Sequence, residues 1–152
     1  MILAQARRAS IVASAAFLIA GCSYLGQRDG QDLIDQSQTV YASLPAYPGA
    51  QLIDQDTGVA RSEDGGGPVT AGGCRHVFSL PPSATVKGLE QFYLRHLEAA
   101  GWKLFERLPG LPHRKAGPVL NFVRGRVDLS VNLDNAYNLH MEIGVSVSAD
   151  SN

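Results

Sequence analysis

The chain has 152 residues, with 13 Lys and Arg against 14 Asp and Glu and a net charge of −1. That length suits one domain plus flanking chain, and the near-neutral balance excludes the strongly basic surface of a nucleic-acid binder. The charge is uneven: residues 22–74 carry two arginines against seven acids, and residues 75–152 carry nine basic residues against seven acids.

The first segment, residues 1–21, opens as "MILAQARR", with Arg7 and Arg8 and no acid, and continues as an uncharged run from Ala9 to Ala20. A basic start, a short apolar stretch and small residues at its close form the pattern of a secretory signal peptide. The run is too short for a spanning helix, which needs about 20 apolar residues. The flanks Ala6 and Ser10-Ile11 fit twin-arginine export poorly, so general secretion is expected. Ile19-Ala20-Gly21-Cys22 resembles the bacterial lipobox, in which an aliphatic residue and two small ones precede the acceptor cysteine. The resemblance implies a bacterial lipoprotein. The Cys22 thiol takes a diacylglyceryl group, cleavage before Cys22 removes the signal peptide, and acyl chains such as palmitate hold the protein on a membrane. The implied location is the cell envelope, facing the periplasm or the exterior, and Ser23 suits outer-membrane sorting if the cell is Gram-negative.

Without residues 1–21 the chain has 11 basic and 14 acidic residues. Residues 22–48 read as a flexible tether. Within it Leu33, Ile34, Val40, Tyr41 and Leu44 are compatible with a short amphipathic helix, and Pro45 and Pro48 break any helix. Residues 49–150 read as an α+β domain. It opens with a short strand at "AQLIDQ" and a mobile glycine-rich loop at 56–73, where "DTGVARSEDGGGPVTAGG" is polar and rich in turn formers. Once Cys22 is acylated, Cys74 is the one remaining thiol. Two readings stand for it, a buried inert group or an intermolecular bridge.

A strand follows at "RHVFSLPP", then a helix over "SATVKGLEQFYLRHLEAAGW". Ser83 is the expected N-cap. Val86, Leu89, Phe92, Tyr93, Leu97 and Ala100 form one apolar stripe, and Gly101 supplies the left-handed residue past the end. "WKLFER", "VLNFV" and "VDLSVNL" read as strands, the last two joined by a tight turn at Gly125. Val127, Leu129, Val131 and Leu133 alternate with polar residues, as do Leu139, Met141, Ile143, Val145 and Val147. Such alternation gives a sheet with one dry and one wet face. The expected fold is therefore two-layer α+β, with one main helix on an antiparallel sheet in the order β-α-β-β-β-β. Trp102 and Phe105 are expected in its core. The stretch "LEQFYLRHLEAAGWKLFE" resembles a segment of small exported bacterial lipoproteins of unassigned function, through Phe92, Tyr93, Leu97, Gly101 and Trp102. That resemblance implies the same helix-then-sheet order and assigns no active-site residue.

Chemistry-bearing motifs are sparse. His76, His96, His113 and His140 show no ligand spacing, and a metal site needs three or four converging ligands. There is no Gly-x-Ser-x-Gly elbow, and "GGGP" lacks the lysine of a phosphate loop. Glu90 and Glu98 fall on the expected wet face of the helix. No catalytic residue, metal or cofactor is expected. Arg107, His113, Arg114, Lys115, Arg124 and Arg126 form a candidate anionic contact patch at one end of the sheet; the other reading is a charged loop end that keeps strand edges from pairing. The function expected from these features is a non-catalytic, membrane-anchored binding or interaction module. Its partner would be an envelope protein or an anionic polymer, with no nucleic acid. The alternative is a structural or envelope-assembly accessory without a small ligand.

Overall fold

The computed structural model describes residues 21–62, 67–110 and 115–149, with side chains from Gly30 onward. The expected leader up to residue 20 lies outside the described residues, as do His113, Arg114 and the side chain of Cys22. The elements in chain order are α1 (Gly21–Ala42), β1 (Gln51–Arg61), β2 (Val69–Ser79), α2 (Val86–Ala99), β3 (Lys103–Leu108), β4 (Val119–Arg124), β5 (Val127–Asn132), a 3-10 turn (Ala136–Asn138) and β6 (His140–Ser148). The strands form one antiparallel sheet in the order β1-β2-β6-β5-β4-β3. From β2 the chain passes through α2 to the far edge, then returns strand by strand until β6 closes against β2. The expected order β-α-β-β-β-β is β2-α2-β3-β4-β5-β6, with α1 and β1 added before it.

Alternation decides which face is dry. On β5 and β6, Leu129, Val131, Met141, Ile143, Val145 and Val147 are buried, while the residues between them are half-exposed or exposed. Cys74 and His76 of β2 sit opposite Val145 and Ile143, so they share that face. The stripe of α2 covers β4–β6 through Leu89, Tyr93 and Leu97, all buried, with the Tyr93 hydroxyl donating to Met141 Sδ at 3.6 Å. Each such apolar side chain taken out of water contributes roughly 1.5–3 kcal/mol. Trp102 joins this core.

Helix α2 starts later than the sequence pattern suggests. Ala84 N donates to Pro81 O in a turn, which leaves Thr85 extended at φ −123° as the true N-cap. Its hydroxyl accepts from Gly88 N at 3.1 Å, replacing Ser83 in the role. Past the helix end Gly101 has φ +83°, and in the β4–β5 turn Gly125 has φ +63°. Both are backbone conformations that glycine adopts without steric cost.

Two segments differ from their sequence reading. The 22–48 segment, expected as a tether with a short helix, holds α1, and from Gly30 onward α1 docks on β2 and β6. Residues 56–73, expected as a mobile loop, are mostly a β1–β2 hairpin: Asp56 faces Arg75, Thr57 faces Cys74, and Arg61 faces Val69. Glycine in a strand marks a site of close backbone approach, and two of these glycines meet that condition. A Cβ on Gly72 would lie 2.5 Å from Leu33 Cβ and 2.9 Å from Ile34 N, because α1 crosses directly above it. A Cβ on Gly73 would lie 2.7 Å from the Val145 carbonyl oxygen.

Candidate functional site

Both helices lie on one face, so the other face of the sheet is uncovered. Its residues follow from the register. One row across the sheet is Asp56, Arg75, Gly144, Ser130, Asn121 and Glu106, and the next begins Gly58, Gly73, Ser146 and Asp128. Small residues occupy the middle of both rows, so the floor of this face is mostly backbone. All six strands contribute to the resulting open trough, which has a volume of about 620 Å³. Sites for small molecules commonly span roughly 300–1,000 Å³.

The rim is built by two devices. On β3 a bulge between Leu104 and Glu106 breaks the register, and the intervening Phe105 lines the trough, 79% exposed. Alternation from buried Trp102 already puts Phe105 on this face, and the bulge re-aims Glu106 to join it opposite Asn121. Phe105 is thus not a core residue, as its type suggests, but an aromatic presented to solvent. On the opposite side Arg75 donates to Glu142 Oε2 at 2.9 Å and pairs with Asp54 at 3.5 Å. Those two carboxylates and Asp56 hold its guanidinium above its ordinary pKa, Glu142 foremost. Asn121 Nδ2 donates to Glu106 Oε2 at 3.2 Å.

The four candidate cations among the described residues lie at two ends of β4. Arg107 faces Leu120 toward one end of β4, and Lys115 lies in the loop leading into that end. Arg124 and Arg126 sit at the turn that closes the other end. Arg107 reaches back to α2, its Nε 2.6 Å from Glu90 Oε1, so Glu90 is a tie between layers and not simply a wet-face residue. Arg124 lies 4.4 Å from the Trp102 ring centroid and donates to Ala100 O, where a cation favours the helix C-terminus. Arg126 donates to Gln36 of α1 at 2.7 Å. The physical reason for the separation is strand length: β4 places four residues between the positions of Arg107's partner and the turn.

A second polar cluster lies beneath α1. Ser37 is fully buried and donates to Ile34 O at 2.7 Å. The Tyr41 ring stacks on His76 at 3.5 Å between centroids and 3° between planes. Cys74, 4% exposed, has its thiol pushed above the ordinary pKa by burial, with hydrogen bonds to Ser37 and the Val145 backbone acting the other way. A buried, protonated thiol is a poor nucleophile and is closed to a bridging partner, so the inert reading of Cys74 fits. His76 Nδ1 is buried with no hydrogen-bond partner, and burial lowers its pKa below 6.5.

Burial of His76 is expected to make the domain acid-sensitive. Below pH 6.5 the unfolded chain takes a proton that folded His76 resists, so stability present above pH 6.5 falls as pH drops through 6.5 toward the folded value. One such proton gives a slope of at most about 1.4 kcal/mol per pH unit. Urea unfolding at pH 7.5 and pH 5.5 should show the loss, and His76→Phe, which keeps a ring under Tyr41, should flatten it; an unchanged slope would remove His76 as the cause.

Among the described residues no three His, Cys, Asp or Glu side chains converge as metal ligands, and no helix is long and apolar enough to cross a membrane. Comparison with protein-family models, with curated proteins and with solved structures finds no match for this chain. The trough was legible only in part from sequence. The alternation that marks one wet face was visible; that this face is glycine-floored depends on pairing Gly58 with Gly73 and Arg75 with Gly144 across three strands.

Proposed function

We propose that this protein is an exported, lipid-anchored module of the bacterial cell envelope, non-catalytic, whose α+β domain binds its partner through the uncovered sheet face. The observation that carries the reading is Ile19-Ala20-Gly21-Cys22 at the close of the uncharged run that follows Arg7-Arg8. A thiol at that position has a definite chemical use. Transfer of a diacylglyceryl group from a phospholipid forms a thioether as the headgroup phosphate leaves and gives two acyl chains, and each buried methylene contributes about 0.8 kcal/mol. One chain holds a protein only marginally; two anchor it stably. The open trough supports the binding half of the proposal, since it leaves glycine, serine and one exposed phenylalanine facing solvent where a core-forming sheet would carry larger side chains.

Membrane fractionation of an expressing bacterium tests the anchor. The parent chain is expected in the membrane pellet and resistant to extraction by high salt. Cys22→Ser is expected either uncleaved or released into the soluble or secreted fraction. Equal partition of parent and variant into the soluble fraction would contradict the proposal.

A further inference from the structure

We propose that the trough on the uncovered sheet face binds a linear aliphatic polyamine. The inference rests on the reading of that face as the binding surface and names its ligand class. It begins with the charges. Three charged side chains line the trough: Asp56, Arg75 and Asp128. Arg75 is already engaged by Glu142 and Asp54. Asp56 faces Arg75 across the β1–β2 pair and acts on it through charge, so Glu142, Asp54 and Asp56 together surround one guanidinium, and Asp128 has no hydrogen bond or ion pair with any described residue. The trough therefore carries an excess of carboxylate at both ends, around Arg75 and at Asp128, and no lining cation free to meet an anion. Phe105 adds an aromatic face, and aromatic rings attract ammonium groups.

The geometry then selects the shape. Asp56 is on β1 and Asp128 on β5, three strand spacings and one row apart, about 16 Å across a flat sheet and less across a curved one. Between them the floor is Gly73, Ser146 and Gly144. A Cβ on Gly144 would meet nothing within 4 Å, so no packing contact requires glycine there. It weakens a central strand, and what it provides is depth. A peptide strand read by a protein surface uses pockets for its alternate side chains, and a floor of glycine and serine has none. An unbranched chain with ammonium groups at its ends fits both the carboxylates and the smooth floor between them.

Calorimetric titration of the full chain in detergent tests this, with spermine, putrescine, magnesium chloride and a neutral disaccharide as probes. Spermine is expected to bind at a single saturable site. Putrescine, too short to reach both carboxylates, is expected to bind at least tenfold more weakly. Asp128→Asn is expected to weaken spermine about tenfold, since charge-assisted bonds are the strong ones. Gly144→Val is expected to abolish binding while leaving the thermal midpoint unchanged or higher, which separates a filled trough from a misfolded chain. No saturable heat with spermine, equal affinity for putrescine, or competition by magnesium at the same concentration would overturn the proposal. Disaccharide binding that Gly144→Val removes would overturn the polyamine and leave the face as a binding surface. The assay does not depend on acylation, so a failed anchor at Cys22 and a failed ligand give different results.

Discussion

Gly72→Val is expected to lower the unfolding free energy by about 1–3 kcal/mol, the usual cost of overpacking, and to lift α1 from the sheet. The new side chain would enter space held by Leu33 and by the backbone of Ile34, with contacts of 2.5 Å and 2.9 Å from the first carbon alone. A helix backbone cannot yield there, so α1 itself must move. Its departure uncovers Leu33 and Ser37 and parts the Tyr41–His76 stack, which are its buried contacts with β2. Urea unfolding reads the energy, and limited proteolysis reads the helix, with cleavage inside 30–42 expected in the variant and not in the parent. The same substitution at Gly144 has the opposite expectation. There the space above the floor is empty, and valine relieves a strand of a glycine that costs roughly 0.5–1 kcal/mol. Two glycines in one sheet thus test whether α1 is docked where the structure places it.

Phe122→Ala is expected to cost more, about 3–5 kcal/mol. Phe122 is 1% exposed at the centre of β4, paired with Leu129 of β5 and Leu104 of β3, within the cluster that includes Leu89, Tyr93 and Leu97 of α2. Removing the ring leaves a cavity between the sheet and α2 that neighbouring strands cannot close without breaking register. Chemical denaturation is the measurement. A loss below about 1 kcal/mol would mean that α2 does not pack over β4 and β5 as described.

Much of this architecture was legible in the sequence, and the illegible parts share a cause. The strands β5 and β6 and the helix α2 announce themselves because large apolar residues recur at the period of the element. Leu33, Val40 and Tyr41 mark helix α1 in the sequence, and they pack beneath it. Its docking on the sheet is less legible, because the stripe through Gly30, Leu33, Ser37 and Tyr41 is regular only if glycine and serine are counted with the apolar residues. The hairpin at 56–73 is hidden for a related reason: glycine is scarce in ordinary strands, and here Gly72 and Gly73 make room for a helix backbone and a neighbouring carbonyl. Phe105 shows the reverse error. Strict alternation from Trp102 already places it on the wet face, and its residue type pulled the expectation toward the core. Among the described candidate cations, Arg107 and Arg124 are near in sequence yet held apart by the length of β4 between Leu120 and the turn.

The claim on which the proposed role depends is that Cys22 becomes the acylated first residue of the processed chain. Intact-mass spectrometry of the protein extracted from the membranes of an expressing bacterium tests it most directly. The expected mass is that of residues 22–152 plus a diacylglyceryl group, with or without one further amide-linked acyl chain. A mass equal to the unprocessed chain, or to a cleaved chain carrying no acyl group, would contradict the account.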